Sequence, residues 1–191
     1  MSNAVPIQKL PSGVPGLDEV LGGGFPEFSF NLIAGGPGCG KTTMGHQIMF
    51  ANASPQRRAV YFSLVGEPPI KMLRYQQQYS FFDAAKVGEG TVRFVHLGQL
   101  AQESGMAQVL EAIVKEIDAS NPSLVFVDSF RAVVRRTLAA KPDGEQELQD
   151  FMQRLALVLT SYQATTFLIG EYADDEHDSA VFRSEEHTSE L

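Results

Sequence analysis

A strand-forming run that empties directly into a glycine-rich turn and a Lys-Thr pair constrains this chain more than any other feature. The run FSFNLIAG (28–35) reads as a buried strand. Gly35-Gly36-Pro37-Gly38-Cys39-Gly40-Lys41-Thr42 follows it and satisfies G-x-x-x-x-G-K-[ST]. A helix is expected from about Lys41 to Ala53. Glycines at these spacings let successive backbone N–H groups curl around an anion without a Cβ in the way. The helix start adds the positive end of its dipole. Lys41 can reach β- and γ-phosphates, and the Thr42 hydroxyl can coordinate magnesium. Together with Pro37, Cys39 and Thr43, these residues form the expected nucleotide-binding set, with ATP and Mg2+ as cofactors.

The rest of the chain alternates strand and helix. Strands are expected at RAVYFSLV (58–65), TVRFVHL (91–97), SLVFVDSF (123–130) and ATTFLIG (164–170). PPIKMLRYQQQYSFF (68–82) reads as mostly helical after its prolines. Met106, Val109, Leu110, Ile113, Val114 and Ile117 recur at helical spacing. Asp143 with Gln146 resembles a capping box for a helix whose apolar face is Leu148, Phe151, Met152, Leu155 and Val158. Such alternation implies an α/β fold with a mostly parallel central sheet flanked by helices.

At 191 residues the chain is long enough for one domain with a sizeable core, and 43% hydrophobic with 20% charged residues is ordinary for a globular protein. No apolar run approaches the roughly 20 residues that cross a bilayer, and MSNAVPIQKLPSG has no secretory-signal pattern, so a cytoplasmic protein without membrane attachment is expected. The single cysteine excludes a disulfide framework and a multi-cysteine zinc site within the chain. Cys39 is either a small residue at a variable loop position or a redox-sensitive thiol at a helix start. Most of the net charge of -8 sits after residue 170, so the body is nearly neutral.

Three carboxylates are candidates for the chemistry. LVFVDS places Asp128 at the end of a strand, where a metal-holding acid belongs in an open α/β sheet. Glu67, after the second strand, is positioned either to polarise an attacking water or to sit as a solvated acid at a helix start. Glu171, after the last strand, is either a γ-phosphate sensor or an ordinary loop acid.

With these positions placed, the chain resembles the KaiC-like branch of the RecA-type P-loop ATPases. LPSGVPGLDEVLGGGFPEFSFNLIAGGPGCGKTT looks like that branch's approach to the phosphate loop, FVDSF like its Walker B strand, and TTFLIGE like its sensor strand. The likeness extends from about Leu10 to Glu171. It implies a RecA-like fold and a Mg2+-dependent ATPase that assembles into rings, usually hexamers, with ATP between subunits and a protein signalling partner. Kinase chemistry in place of hydrolysis stays open in principle, although nothing closely matches the Ser-Thr autophosphorylation pair of the clock protein. The branch usually carries two adjacent glutamates after the second strand. Here Val65-Gly66-Glu67 keeps one carboxylate, slightly shifted. That departure leaves room for a nucleotide-binding regulatory module with negligible turnover.

A DNA-dependent recombinase-type ATPase is the third reading. The acids of EYADDEHDSA oppose it, because single-stranded DNA needs basic and aromatic groups. Arg131, Arg135 and Arg136 are either a small nucleic-acid patch or a solvated or interface arginine face, and His177 among acids is either a metal ligand or simply solvated. The last nine residues, RSEEHTSEL, read either as a natural acidic, disordered C-terminus or as the in-frame translation of a sequencing-adapter oligonucleotide, and the match in order favours the second. Residues 1–182 are therefore expected to be a RecA-like domain lacking its C-terminal strands, and 183–191 a non-native tail.

Overall fold

The computed structural model describes residues 7–64, 69–129 and 144–171. Strand β1 (Lys9–Leu10) and helix α1 (Leu17–Val20) lead to β2 (Phe25–Pro26), which pairs antiparallel with β1. There follow β3 (Phe30–Gly35), α2 (Lys41–Asn52), β4 (Ala59–Ser63), α3 (Pro69–Gln76) and α4 (Ala84–Gly88). The remainder comprises β5 (Val92–His96), α5 (Gly98–Glu103), α6 (Met106–Ser120), β6 (Leu124–Asp128), α7 (Gly144–Ser161) and β7 (Thr165–Glu171). The five longer strands form one sheet in the order β3-β7-β6-β4-β5, parallel throughout. The predicted α/β fold with its central parallel sheet is thus observed.

Alternation along the strands divides the core between two sheet faces. Val60, Phe62, Val125, Val127 and Leu168 turn to one face and pack with α6 (Val109, Ile113, Ile117) and α7 (Phe151, Met152, Leu155, Leu159). Ala59, Tyr61, Leu124, Phe126, Phe167 and Ile169 turn to the other and pack with α2 (Ile48, Met49, Phe50). On this second face Phe94, Tyr61, Phe126 and Phe167 stand directly opposite one another on four adjacent strands. Tyr61 stacks on Phe126 at 6.1 Å between ring centres, and Phe126 on Phe167 at 4.8 Å. This aromatic row is the floor on which α2 rests.

The segment before β3 is fastened to the back of α2. Leu10 and Phe25 are buried with the α2 face of the core. Asn52 Nδ2 donates to the Pro11 carbonyl at 2.7 Å and Gln47 Nε2 to the Gly13 carbonyl at 2.6 Å. The Ser12 N–H donates to Asp18 Oδ1 at 2.7 Å, closing the turn that precedes α1. The Ser-Gly and Leu-Asp pairs of the approach segment therefore brace the helix that follows the phosphate loop.

The stretch 68–82 departs from expectation, because α3 ends at Gln76. The chain then closes on itself through short-range bonds, Gln78 N–H to the Tyr75 carbonyl and Tyr79 N–H to the Gln76 carbonyl. This turn swings Phe81 and Phe82 against Phe50 of α2 at 6.2 and 5.1 Å between ring centres. Aromatic burial against α2 outweighs continued helix. The Asp143 cap lies outside the described residues. The face of α7 includes Leu159, which is buried, while Val158 is only partly covered.

Candidate functional site

Strand register brings the site together. Gly35 pairs with Glu171, Asp128 with Ile169, and Ser63 with Asp128, so the carboxyl ends of β3, β7, β6 and β4 lie along one edge of the sheet. The phosphate loop spans the end of β3 and the start of α2. Gly40 forms the N-cap of α2 at φ 93°, a left-handed conformation that favours glycine. No acidic residue occupies the first turn of α2, so the positive pole of the helix faces the loop uncompensated from within. Farther along, a Cβ on Gly45 would stand 2.6 Å from Ile169 Cδ1. Glycine there lets α2 sit close to β7, which fixes the height of the loop above the sheet edge.

Lys41 folds back over the loop, its ammonium donating to the Gly36 carbonyl at 2.6 Å and reaching Cys39 Sγ at 3.7 Å. Cys39 is exposed. Thr42 Oγ1 donates to Asp128 Oδ2 at 2.7 Å, joining residues 86 positions apart. Sequence reasoning assigned both residues to a magnesium site, and the structure sets them in contact. One hydroxyl and one carboxylate are a sparse, hard-oxygen pair. Such a pair suits Mg2+, which binds through one or two protein oxygens and completes its shell with water and phosphate oxygens. Among the described residues no group of three or more His, Cys, Asp or Glu gathers elsewhere.

Two residues that the sequence did not single out complete the surroundings. The Tyr61 hydroxyl, from the α2 face of β4, also donates to Asp128 Oδ2. Burial first, then the Asp128 charge, hold the Tyr61 pKa well above its usual value near 10, so the hydroxyl remains a donor. His46, one turn beyond Thr42 on α2, is fully buried against Tyr61 and Phe94, with ring centres 4.4 and 5.6 Å away. Burial lowers its pKa from 6.5 to about 4, against a smaller opposite pull from Gln76. Neither ring nitrogen has a partner with hydrogen-bond geometry among the described residues. The one sequence hint of Tyr61 was strand alternation, which places its ring under α2, one pleat below the carboxyl edge.

The remaining candidates divide simply. Glu171 ends β7 beside Gly35, at the loop's own edge of the sheet. Glu67, Arg131, Arg135, Arg136 and His177 lie outside the described residues.

A parallel α/β sheet with a G-x-x-x-x-G-K-T loop after β3 and an aspartate at the end of β6, with β7 between the two strands, is the arrangement of the RecA-type P-loop class. Within that class, the family model described as "ATPase: KaiC" matches residues 10–190, and the chain belongs to the KaiC ATPase family. The chain is 30% identical to the DNA repair protein RadA of Mycobacterium tuberculosis (strain ATCC 25618 / H37Rv) over 182 residues, 91% of this chain and 35% of that protein. It is 34% identical to a UPF0273 protein of Pyrobaculum aerophilum over 136 residues, 71% of this chain and 46% of that one. It therefore spans between a third and a half of these relatives. The fold matches the crystal structure of the KaiC-like protein PH0186 from Pyrococcus horikoshii with a TM-score of 0.75 at 24% identity, covering 96% of this chain and 78% of that one. Among the described residues no helix is long and apolar enough to cross a membrane.

Proposed function

We propose that this chain binds ATP with magnesium at Gly35–Thr43 and hydrolyses it, working as one subunit of a cytoplasmic homo-oligomeric regulator. The observation that carries the reading is the 2.7 Å bond from Thr42 to Asp128 at the start of α2. It joins the two metal-side oxygens next to the phosphate loop. Loop N–H groups and the α2 dipole hold the phosphates, and Lys41 moves from the Gly36 carbonyl to the β- and γ-oxygens. Thr42 and Asp128 hold the metal, which when bound neutralises charge developing on the γ-phosphoryl group. Glu67 orients the attacking water, and Glu171 senses the γ-phosphate. A hexameric ring, which KaiC-like relatives imply, would set ATP between subunits and let a neighbour complete the charge balance.

Glu67→Gln tests the hydrolytic role. ATP affinity should stay within about twofold while turnover falls roughly 100-fold or more, the scale of losing a general base. Unchanged, measurable turnover removes Glu67 from the mechanism. If wild-type turnover is itself undetectable while ATP binds, the chain is the nucleotide-binding module that its single carboxylate allows. The similarity to a DNA repair protein favours one further reading, a DNA-dependent ATPase. Stimulation of ATP turnover by single-stranded DNA, fading steeply with salt, would support it.

A further inference from the structure

The geometry points to Tyr61 as a positioning residue for the magnesium site, holding the Asp128 carboxylate in its metal-ready orientation through the bond from its hydroxyl to Oδ2. The inference rests on the proposed Mg-ATP site and names a residue that acts on it through Asp128. Oδ2 accepts from two hydroxyls, Thr42 on the helix side and Tyr61 from the sheet. The two donors differ in kind. Thr42 opens the helix that carries the phosphate loop and is itself a metal-side oxygen. Tyr61 belongs to the floor of the sheet.

The Tyr61 ring is wholly buried and clasped by His46 at 4.4 Å, Phe94 at 5.5 Å and Phe126 at 6.1 Å between ring centres. Its hydroxyl oxygen lies on the ring axis and is therefore held in place with the ring. It is delivered to Asp128 by register as well, since Tyr61 stands opposite Phe126, two residues before Asp128 on β6. A shorter donor at position 61 could not span that distance, and an apolar ring would leave Oδ2 with one donor fewer. Partners of this kind fix the orientation of a metal-ligating carboxylate and tune its affinity.

The test is Tyr61→Phe in the full chain, which keeps the ring and deletes the hydroxyl. Affinity for a fluorescent, non-hydrolysable ATP analogue is measured across a Mg2+ titration and again in EDTA, and bound Mn2+ is counted by electron paramagnetic resonance. The half-saturating Mg2+ concentration should rise about tenfold, with Mn2+ occupancy falling in parallel. Affinity in EDTA should stay within about twofold, because the loop that holds the phosphates is untouched. Replacement of Tyr61 by 4-aminophenylalanine, which keeps both the ring and a donor, should bring the Mg2+ requirement back to within about threefold of wild type. It also serves if Tyr61→Phe fails to fold.

The inference is overturned if Tyr61→Phe folds and keeps the wild-type Mg2+ requirement, or if 4-aminophenylalanine raises the requirement as much as phenylalanine would. A wild-type chain whose ATP-analogue affinity does not respond to Mg2+ at all contradicts the underlying Mg-ATP reading instead, and takes the role of Tyr61 with it.

Discussion

Replacing His46 by phenylalanine should remove an acid sensitivity built into the packing of α2. The ring is fully buried between Tyr61 and Phe94, and its pKa falls from 6.5 to about 4. The folded state therefore refuses a proton that the unfolded chain accepts. Stability owed to this difference is intact above pH 6.5, declines as pH falls from 6.5 toward 4, and levels off below. One withheld proton over that interval lowers folding stability by about 3 kcal/mol at its limit, and by about 2 to 3 kcal/mol at pH 4.5. That is a large part of a domain's usual stability of about 5–15 kcal/mol.

Urea unfolding of wild type and His46→Phe at pH 7.5 and pH 4.5 isolates the effect, because carboxylate titrations common to both proteins cancel in the difference. The variant should gain about 2 to 3 kcal/mol on wild type between the two pH values. The ring protons of His46 in wild type should not titrate near 6.5. A stability difference constant within about 0.5 kcal/mol across that range, or a His46 titration near 6.5, would refute the burial argument.

Two further substitutions probe how the loop is held over the sheet. Gly45→Val forces a branched side chain into the place where even a Cβ would stand 2.6 Å from Ile169. Urea unfolding should show a loss of about 2 kcal/mol or more, and a neutral result would mean that α2 rides higher than described. Asp18→Ala removes the acceptor of the part-buried Ser12 N–H. It should cost about 1 to 3 kcal/mol, while ATP affinity, measured under conditions where the variant is folded, stays near wild type.

How much of this was legible in the sequence depends on whether the signal was local. Gly35 through Thr42 could be read because loop, strand and helix start are contiguous and each residue type answers a local need. Asp128 could be read because four apolar residues ending in an acid mark a buried strand reaching its carboxyl edge. The strand order could not, since β3 neighbours β7, the first and last strands of the sheet in chain order. His46 escaped because polar and apolar residues are scattered around α2, so periodicity does not set one buried face apart. Tyr61 escaped because its partner lies 67 residues away, and only register between β4 and β6 brings the two together. The end of α3 escaped because the pull of Phe81 and Phe82 toward Phe50 is tertiary.

Equilibrium binding of ATP by the full chain, with and without Mg2+, compared among wild type, Lys41→Ala and Asp128→Asn, tests the central claim most directly. Wild type should bind ATP and bind it more tightly with Mg2+. Lys41→Ala should lose affinity roughly 10- to 100-fold in either condition, as expected for removing a charged donor to phosphate. Asp128→Asn should lose mainly the gain that Mg2+ confers. Equal affinity in all three proteins, or no response to Mg2+ in wild type, would contradict a Mg-ATP site at the meeting point of Lys41, Thr42 and Asp128.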